Sequence, residues 1–385
     1  MTSSRKVLYV SGTRADYGLM RNVLRSIRDA GLEVELVVTG MHLMKEFGNT
    51  AEEVEKGGFR IHRVDAKYDK DDYHSMAKFL GNFVMKLSDI LLSVKPDFLL
   101  LLGDRAEMLG GAIAGAYMHI PVAHVHGGDV SSTIDDAARH AITKLVHLHF
   151  PATERSAERI LKMGEEKWRV NVVGAPGLDD LKLSGPCKDE VFREFGLDPA
   201  KTTLLVVQHP MSLEKGDAGF QIKETLEAAK EFCEENGGQV VAVYPNADAG
   251  GREMIKVIDG YARYSCFKIF KNIPRNDFIR LMANANVMVG NSSSAIIEAP
   301  YFHLPVVNVG TRQRGRERST NIIDVGYSKE GIKSALNKAV SDTKFLAKVM
   351  TCKTPYGDGN TGVRIANVLK SIKTDYNLLQ KQMTY

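Results

Sequence analysis

Hydrophobic residues along the chain fall into two alternating registers. Short unbroken apolar runs, rich in Val, Ile and Leu, are separated by longer stretches in which apolar positions recur every three or four residues. The first pattern predicts buried strands and the second amphipathic helices. In the first half the strand candidates are 6–10, 34–39, 97–102, 122–125, 148–151 and 170–173; helical periodicity fills 15–30, 74–95, 105–119, 134–146 and 153–163. The second half repeats the scheme, with strands at 203–208, 239–244, 267–270, 287–290 and 305–309 and helices near 220–236, 249–262, 275–285, 293–302 and 330–349. Runs that are apolar throughout, rather than every second residue, belong to sheets covered on both faces. The pattern therefore predicts an α/β chain of two Rossmann-like, doubly wound domains. The change-over is expected at the turn residues Gly174-Ala-Pro-Gly177, giving domains 1–174 and 175–363, with the C-terminal segment 364–385 returning to the first domain as part of a long helix over 361–384.

Composition narrows the class. A chain of 385 residues with 44% hydrophobic and 25% charged residues has the balance of a globular protein and too much sequence for one ordinary core. A net charge of +4 with no basic block argues against nucleic acid or a membrane surface as partner. The first residues run straight into a strand, and no apolar run is long enough for a bilayer, so a cytoplasmic location is expected. Cys187, Cys233, Cys266 and Cys352 are widely spaced without a Cys-x-x-Cys and are expected to be free thiols. No metal site or cofactor is expected.

In open α/β sheets ligands gather at the carboxyl ends of the strands, and the unusual polar turns of this chain lie there. After the first strand comes Ser11-Gly-Thr-Arg-Ala-Asp-Tyr17, where Thr13 can cap a helix and Arg14 can face a phosphate; neither a dinucleotide fingerprint nor a P-loop is present. After the third comes Gly103-Asp104-Arg105, a carboxylate and a guanidinium suited equally to an ion pair, a helix cap or proton transfer with charge stabilisation. After the fourth comes His124-Val-His-Gly-Gly-Asp129. Asp135 and Arg139 follow, four apart and so on one face if helical. In the second half, His209, Asn246 and Arg312 end strands. Gly290-Asn-Ser-Ser-Ser294 offers serine hydroxyls and helix N–H groups to a phosphate, and Glu298 is suited to a ribose diol.

Taken in order, the motifs at 11–17, 103–105, 126–140, 244–246, 290–293 and 310–313 resemble those of the UDP-N-acetylglucosamine 2-epimerase family, specifically its hydrolysing branch, over nearly the whole chain. The resemblance implies a glycosyltransferase-B arrangement with substrate in an interdomain cleft and a homo-oligomer, dimer or tetramer. It assigns UDP to Arg14, Arg105, His209, Asn246, Ser292, Ser293, Glu298 and Arg312, and catalysis around the sugar to Asp104, His126, Asp135 and Arg139. The implied reaction converts UDP-N-acetylglucosamine and water to N-acetylmannosamine and UDP, through loss of the C2 proton, departure of UDP and water addition to a 2-acetamidoglucal. Two alternatives accompany it: the same reaction on UDP-2,4-diacetamido-2,4,6-trideoxyglucose, and the non-hydrolysing epimerisation. One departure stands out: many family members carry Glu where this chain has His126, and Glu is usual at Asp129.

Overall fold

The computed structural model describes residues 4–44, 50–66, 73–130, 135–181, 188–211, 217–245 and 250–385. The chain divides into two compact units, one made of residues 1–180 and 356–385 and the other of 181–355.

The first unit contains β1 (Lys6–Ser11), α1 (Arg14–Asp29), β2 (Glu33–Val38), α2 (Ala51–Glu55), β3 (Arg60–Arg63), α3 (Tyr73–Val94), β4 (Phe98–Leu102), α4 (Ala106–Tyr117), β5 (Val122–Val125), α5 (Asp135–Leu145), β6 (Leu148–Phe150) and α6 (Glu154–Lys162). Its six strands are parallel in the order β3-β2-β1-β4-β5-β6. The order reverses between β1 and β4, and loops leaving such a switch point open a crevice at the carboxyl edge. The strands bury side chains on both faces: Val7, Tyr9 and Leu100 in one apolar cluster, Leu8, Val10 and Leu101 in the other.

The second unit repeats the plan with α7 (Lys188–Glu194), β7 (Thr203–Val207), α8 (Ala218–Asn236), β8 (Gln239–Val243), α9 (Gly251–Asp259), β9 (Phe267–Phe270), α10 (Arg275–Asn284), β10 (Val287–Gly290), α11 (Ser293–Ile297), β11 (Val306–Val309), β12 (Ile322–Val325), α12 (Lys329–Ser341) and α13 (Thr343–Met350). The sheet is again parallel, in the order β12-β11-β10-β7-β8-β9, with its switch between β7 and β10. The helices α14 (Thr361–Ser371) and α15 (Tyr376–Leu379) then return to the first unit. Among the described residues no helix is long and apolar enough to cross a membrane.

Several sequence expectations are corrected. Edge strands β3 and β12 escape the apolar-run rule because both are half-exposed; β3 reads Arg-Ile-His-Arg. Residues 170–173 run beside β6 with only an isolated bridge, His149 to Val170, before Gly174 turns the chain. The first unit extends past Gly174 to Asp180. Asp179 caps α14 through the N–H groups of Thr361 (2.9 Å) and Gly362 (2.7 Å), and Asn22 of α1 donates to Asp180. The helix expected over 361–384 breaks after Ser371, where Arg5 takes the carbonyls of Leu369 (2.7 Å) and Ile372 (2.7 Å). The helix expected over 330–349 breaks at Asp342, whose carboxylate caps α13 at Lys344 N (2.9 Å) and Phe345 N (3.0 Å).

Candidate active site

The turns after β4 and β5 meet first through His124. Its ring is fully buried on β5, and Nε2 donates to the Gly103 carbonyl at 2.6 Å. Burial, with only that carbonyl in compensation, drives its pKa down to about 3. A neutral imidazole thus straps the two strand ends together and leaves Asp104 in place beyond Gly103. His124 is a strut between the two strand ends.

Arg139 is the hub of this region. It is 4% exposed on α5, and its guanidinium reaches three segments. One nitrogen pairs with the Asp104 carboxylate; the other donates to the Asp129 carbonyl at 2.7 Å and to Asp136 Oδ1 at 2.6 Å. His126 lies on the same turn as Asp129, with Nδ1 at 2.8 Å from Asp129 Oδ2. The structure thus brings together Asp104, His126 and Arg139 of the expected catalytic set. It adds Asp129 and Asp136. Asp135 opens α5, with its side chain outside the described residues, and Asp136 one position on engages Arg139. Spacing could have found Asp136, since i, i+3 neighbours also share a helix face.

The turn after β1 is packed from below by a buried acid. A Cβ at Gly12 would stand 2.7 Å from the Glu107 carboxyl, and one at Gly40 would stand 2.7 Å from Glu107 Oε1. Thr13 caps α1 as expected, in a capping box with Asp16. Burial raises Asp16 to about 6 even though the Ser11 and Thr13 hydroxyls and the Thr13 N–H donate to it. Arg14 is half-exposed with Nε on Glu53 at 2.8 Å, and Arg105 approaches Glu107 at 3.5 Å.

In the second unit three strand ends are knotted around Asn291. Its side chain accepts from His209 N at 2.7 Å and donates to His209 O at 2.9 Å, clamping the residue after β7. Its carbonyl accepts from Arg312 at 3.2 Å and from Gln313 at 2.9 Å, both after β11. Gly290 makes this approach possible: φ is 123°, and a Cβ would lie 2.2 Å from the Val207 carbonyl. Asn291 is therefore a clamp, and Ser292 is the helix cap, accepting from Ser294 N at 3.3 Å. The helix expected over 293–302 lasts only through Ile297 and tightens into a 3₁₀ turn, Ala299–Phe302, where Pro300 lacks an N–H. Glu298 falls at that break, 5% exposed, with Oε2 on Arg275 at 2.7 Å. Burial and the nearby Arg312 cation hold His209 down to about 3, so it is neutral near pH 7. Ser292, Ser293, His209 and Arg312 thus stand on adjoining strand ends. Asn246 lies outside the described residues. Asn291 and Gln313 lie in the motifs read from the sequence, but their clamping roles, like the Arg275 contact to Glu298, are tertiary contacts with no local signature.

Two parallel, doubly wound sheets with polar clusters at their carboxyl edges define a class of glycosyltransferase-B-like proteins. The solved UDP-GlcNAc 2-epimerase of Neisseria meningitidis bound to UDP-GlcNAc matches with a TM-score of 0.80 at 21% identity, covering 95% of this chain and 100% of that one. A sequence model described as UDP-N-acetylglucosamine 2-epimerase matches residues 25–370. Among relatives, the "UDP-N,N'-diacetylbacillosamine 2-epimerase (hydrolyzing)" of Legionella pneumophila is 41% identical over 384 residues, 99% of this chain and all of that one. The "GDP/UDP-N,N'-diacetylbacillosamine 2-epimerase (hydrolyzing)" of Campylobacter jejuni is 35% identical over 84% of each chain. A "UDP-N-acetylglucosamine 2-epimerase" of Neisseria meningitidis is 34% identical over 89% of each. The chain belongs to the UDP-N-acetylglucosamine 2-epimerase family.

Proposed function

We propose that this protein is a hydrolysing 2-epimerase whose substrate is UDP-2,4-diacetamido-2,4,6-trideoxyglucose, also called UDP-N,N'-diacetylbacillosamine. The observation that carries the substrate choice is the 41% identity, end to end, with the Legionella relative of that name. This replaces UDP-N-acetylglucosamine, the substrate expected from sequence, as the main reading. The two sugars differ at C4, acetamide against hydroxyl, and at C6, methyl against hydroxymethyl.

The site residues suit the chemistry. In the first unit, a base takes the C2 proton, the C2–H electron pair becomes the C1=C2 bond, and the C1–O pair leaves with UDP. Water then adds its oxygen to C1 while a proton reaches C2 from the opposite face, giving the free manno-configured sugar. Removal of a weakly acidic C–H calls for a positioned base, supplied by Asp104 or His126, with Arg139 stabilising charge. Asp135, at the start of α5, keeps its assignment beside the sugar. In the second unit the leaving diphosphate is held by the hydroxyls and N–H groups of Ser292 and Ser293 and by the Arg312 cation, and the ribose by Glu298. Arg14, Arg105, His209 and Asn246 complete the set assigned to UDP.

The test is a side-by-side incubation with the two UDP-sugars in deuterated water, followed by proton NMR. Expected are UDP and free 2,4-diacetamido-2,4,6-trideoxymannose with deuterium at C2, with UDP-N-acetylglucosamine turned over about tenfold or more slowly. Equal or faster release of N-acetylmannosamine restores the other substrate. A UDP-linked product means the non-hydrolysing reaction, and no exchange at C2 sinks both.

A further inference from the structure

Asp129, outside the assigned catalytic set, contacts two of its members, His126 through its carboxylate and Arg139 through its main-chain carbonyl. Asp129 is 7% exposed and engaged on three sides. Its Oδ2 lies 2.8 Å from His126 Nδ1, its Oδ1 accepts from Ser156 Oγ at 2.8 Å, and its carbonyl accepts from Arg139 at 2.7 Å. Ser156 is itself fixed by Thr153, the cap of α6, which donates to its Oγ at 3.0 Å and accepts from its N–H at 3.1 Å. The backbone between His126 and Asp129 has no slack. Gly128 packs so closely that a Cβ would stand 2.2 Å from the Ser156 carbonyl, and Arg159 donates to the Gly128 carbonyl at 3.1 Å. His126 adopts φ of +66°, a left-handed conformation that a non-glycine residue keeps only where its surroundings impose it.

An ionised carboxylate only accepts, so the ring nitrogen facing Asp129 carries the hydrogen, and the lone pair sits on the other nitrogen. We propose that Asp129 is a positioning residue that fixes His126 as the Nδ1–H tautomer and presents Nε2 as a proton-transfer atom. The proposal rests on the hydrolysing-epimerase reading: Nε2 takes the C2 proton, the C2–H pair forms the C1=C2 bond, and UDP departs with the C1–O pair. The imidazolium so formed is offset by Asp129, which keeps its own charge, and returns its proton to water on completion of the cycle. Ser156 holds the far oxygen, so the carboxylate plane cannot swing away from the ring.

Two measurements test it on the full-length protein. Long-range proton–nitrogen NMR of protein labelled with ¹⁵N-histidine, with His126 assigned by its loss in His126→Gln, reads the tautomer without any substrate. The Nδ1–H pattern under alkaline conditions, shifting toward Nε2–H in Asp129→Asn, is expected; Nε2–H in the unsubstituted protein overturns the proposal. Kinetically, with whichever UDP-amino sugar is turned over, Asp129→Asn should lower kcat about 10²-fold. In the His126→Gln background the same substitution should change kcat less than about twofold, because the two act as one unit. Equal losses in both backgrounds overturn it. Ser156→Ala, expected to cost about fivefold only when His126 is present, carries the kinetic arm if Asp129→Asn does not fold. Failure of the epimerase reading appears separately, as absence of turnover by the unsubstituted protein.

Discussion

Arg139 joins three chain segments through one guanidinium: Asp104 after β4, the Asp129 carbonyl after β5, and Asp136 on its own helix. Removing one acid leaves a buried cation with fewer partners, so stability falls along with any loss of chemistry, and binding and turnover have to be measured on folded protein. Asp104→Asn is expected to abolish turnover while UDP affinity, measured by calorimetry, stays within about twofold, since most of the residues proposed to hold UDP, the two serines, Glu298 and Arg312 among them, belong to the other unit. A normal rate in that variant removes Asp104 from the mechanism. Buried histidines set a second expectation. His124 is held at about 3 and His42 and His147 at about 4, all by burial, below the ordinary 6.5. The unfolded chain therefore binds protons first as pH falls through 6.5. Each of these histidines then withdraws up to about 2 kcal/mol of native stability by about pH 5. Asp16, raised from 3.8 to about 6, works in the opposite direction between those values, by only about 1 kcal/mol at that pH. The melting temperature should accordingly drop on acidification from about pH 7 to about pH 5, and drop less in His124→Asn. The same drop in that variant would acquit His124.

At the scale of elements, the C-terminal segment is latched onto the helices that carry the site. Arg169, 1% exposed, donates to the carbonyls of Asn377 (2.8 Å), Leu378 (2.7 Å) and Gln380 (3.0 Å). Lys381 caps the last carbonyls of α5, those of Thr143 (3.0 Å) and Lys144 (3.1 Å), and pairs with buried Glu165 at 2.6 Å. Arg139 stands on that same helix, so the tail steadies the far end of the element proposed to carry catalysis. Arg169→Met should cost about 3 kcal/mol by stranding these carbonyls. Limited proteolysis would then cut between α14 and the end of the chain before touching the rest, and unchanged resistance there would count against the latch. Such contacts explain what the sequence could and could not tell. Central strands are legible because burial on both faces writes an unbroken apolar run. Edge strands β3 and β12 are not, because their exposed side chains erase it. The serine turn, Gly103-Asp104-Arg105 and Arg139 are legible as strand-end or same-face residues, which are local properties. That Arg139 engages Asp136, that Arg275 holds Glu298, and that Ser156 braces Asp129 depend on segments brought together only by folding.

For the molecule as a whole, the two units differ in how the chain builds them. Residues 181–355 form one continuous segment with its own apolar clusters on both sheet faces. Expressed alone, that segment is expected to melt cooperatively and to bind UDP; a molten fragment without UDP affinity would refute its independence. The first unit is discontinuous. Ile365, Ala366 and Leu369 of α14 lie in the same core as Val7, Tyr9 and Leu24, and a Cβ on Gly362 would stand 2.8 Å from Ser26 of α1. Residues 1–180 alone should therefore lack a cooperative transition and regain it when 356–385 are supplied.

That discontinuity also orders events on the ribosome. The segment that closes the first core is translated only after the 175 residues of the second unit, 181–355. At synthesis rates of about 5–20 residues per second, the half made first waits on the order of ten seconds or more, its seam against α1 open, while the half made second can already be complete. Nascent chains of this protein should therefore carry their exposed apolar surface, and their need for chaperone cover, at the end that emerged first.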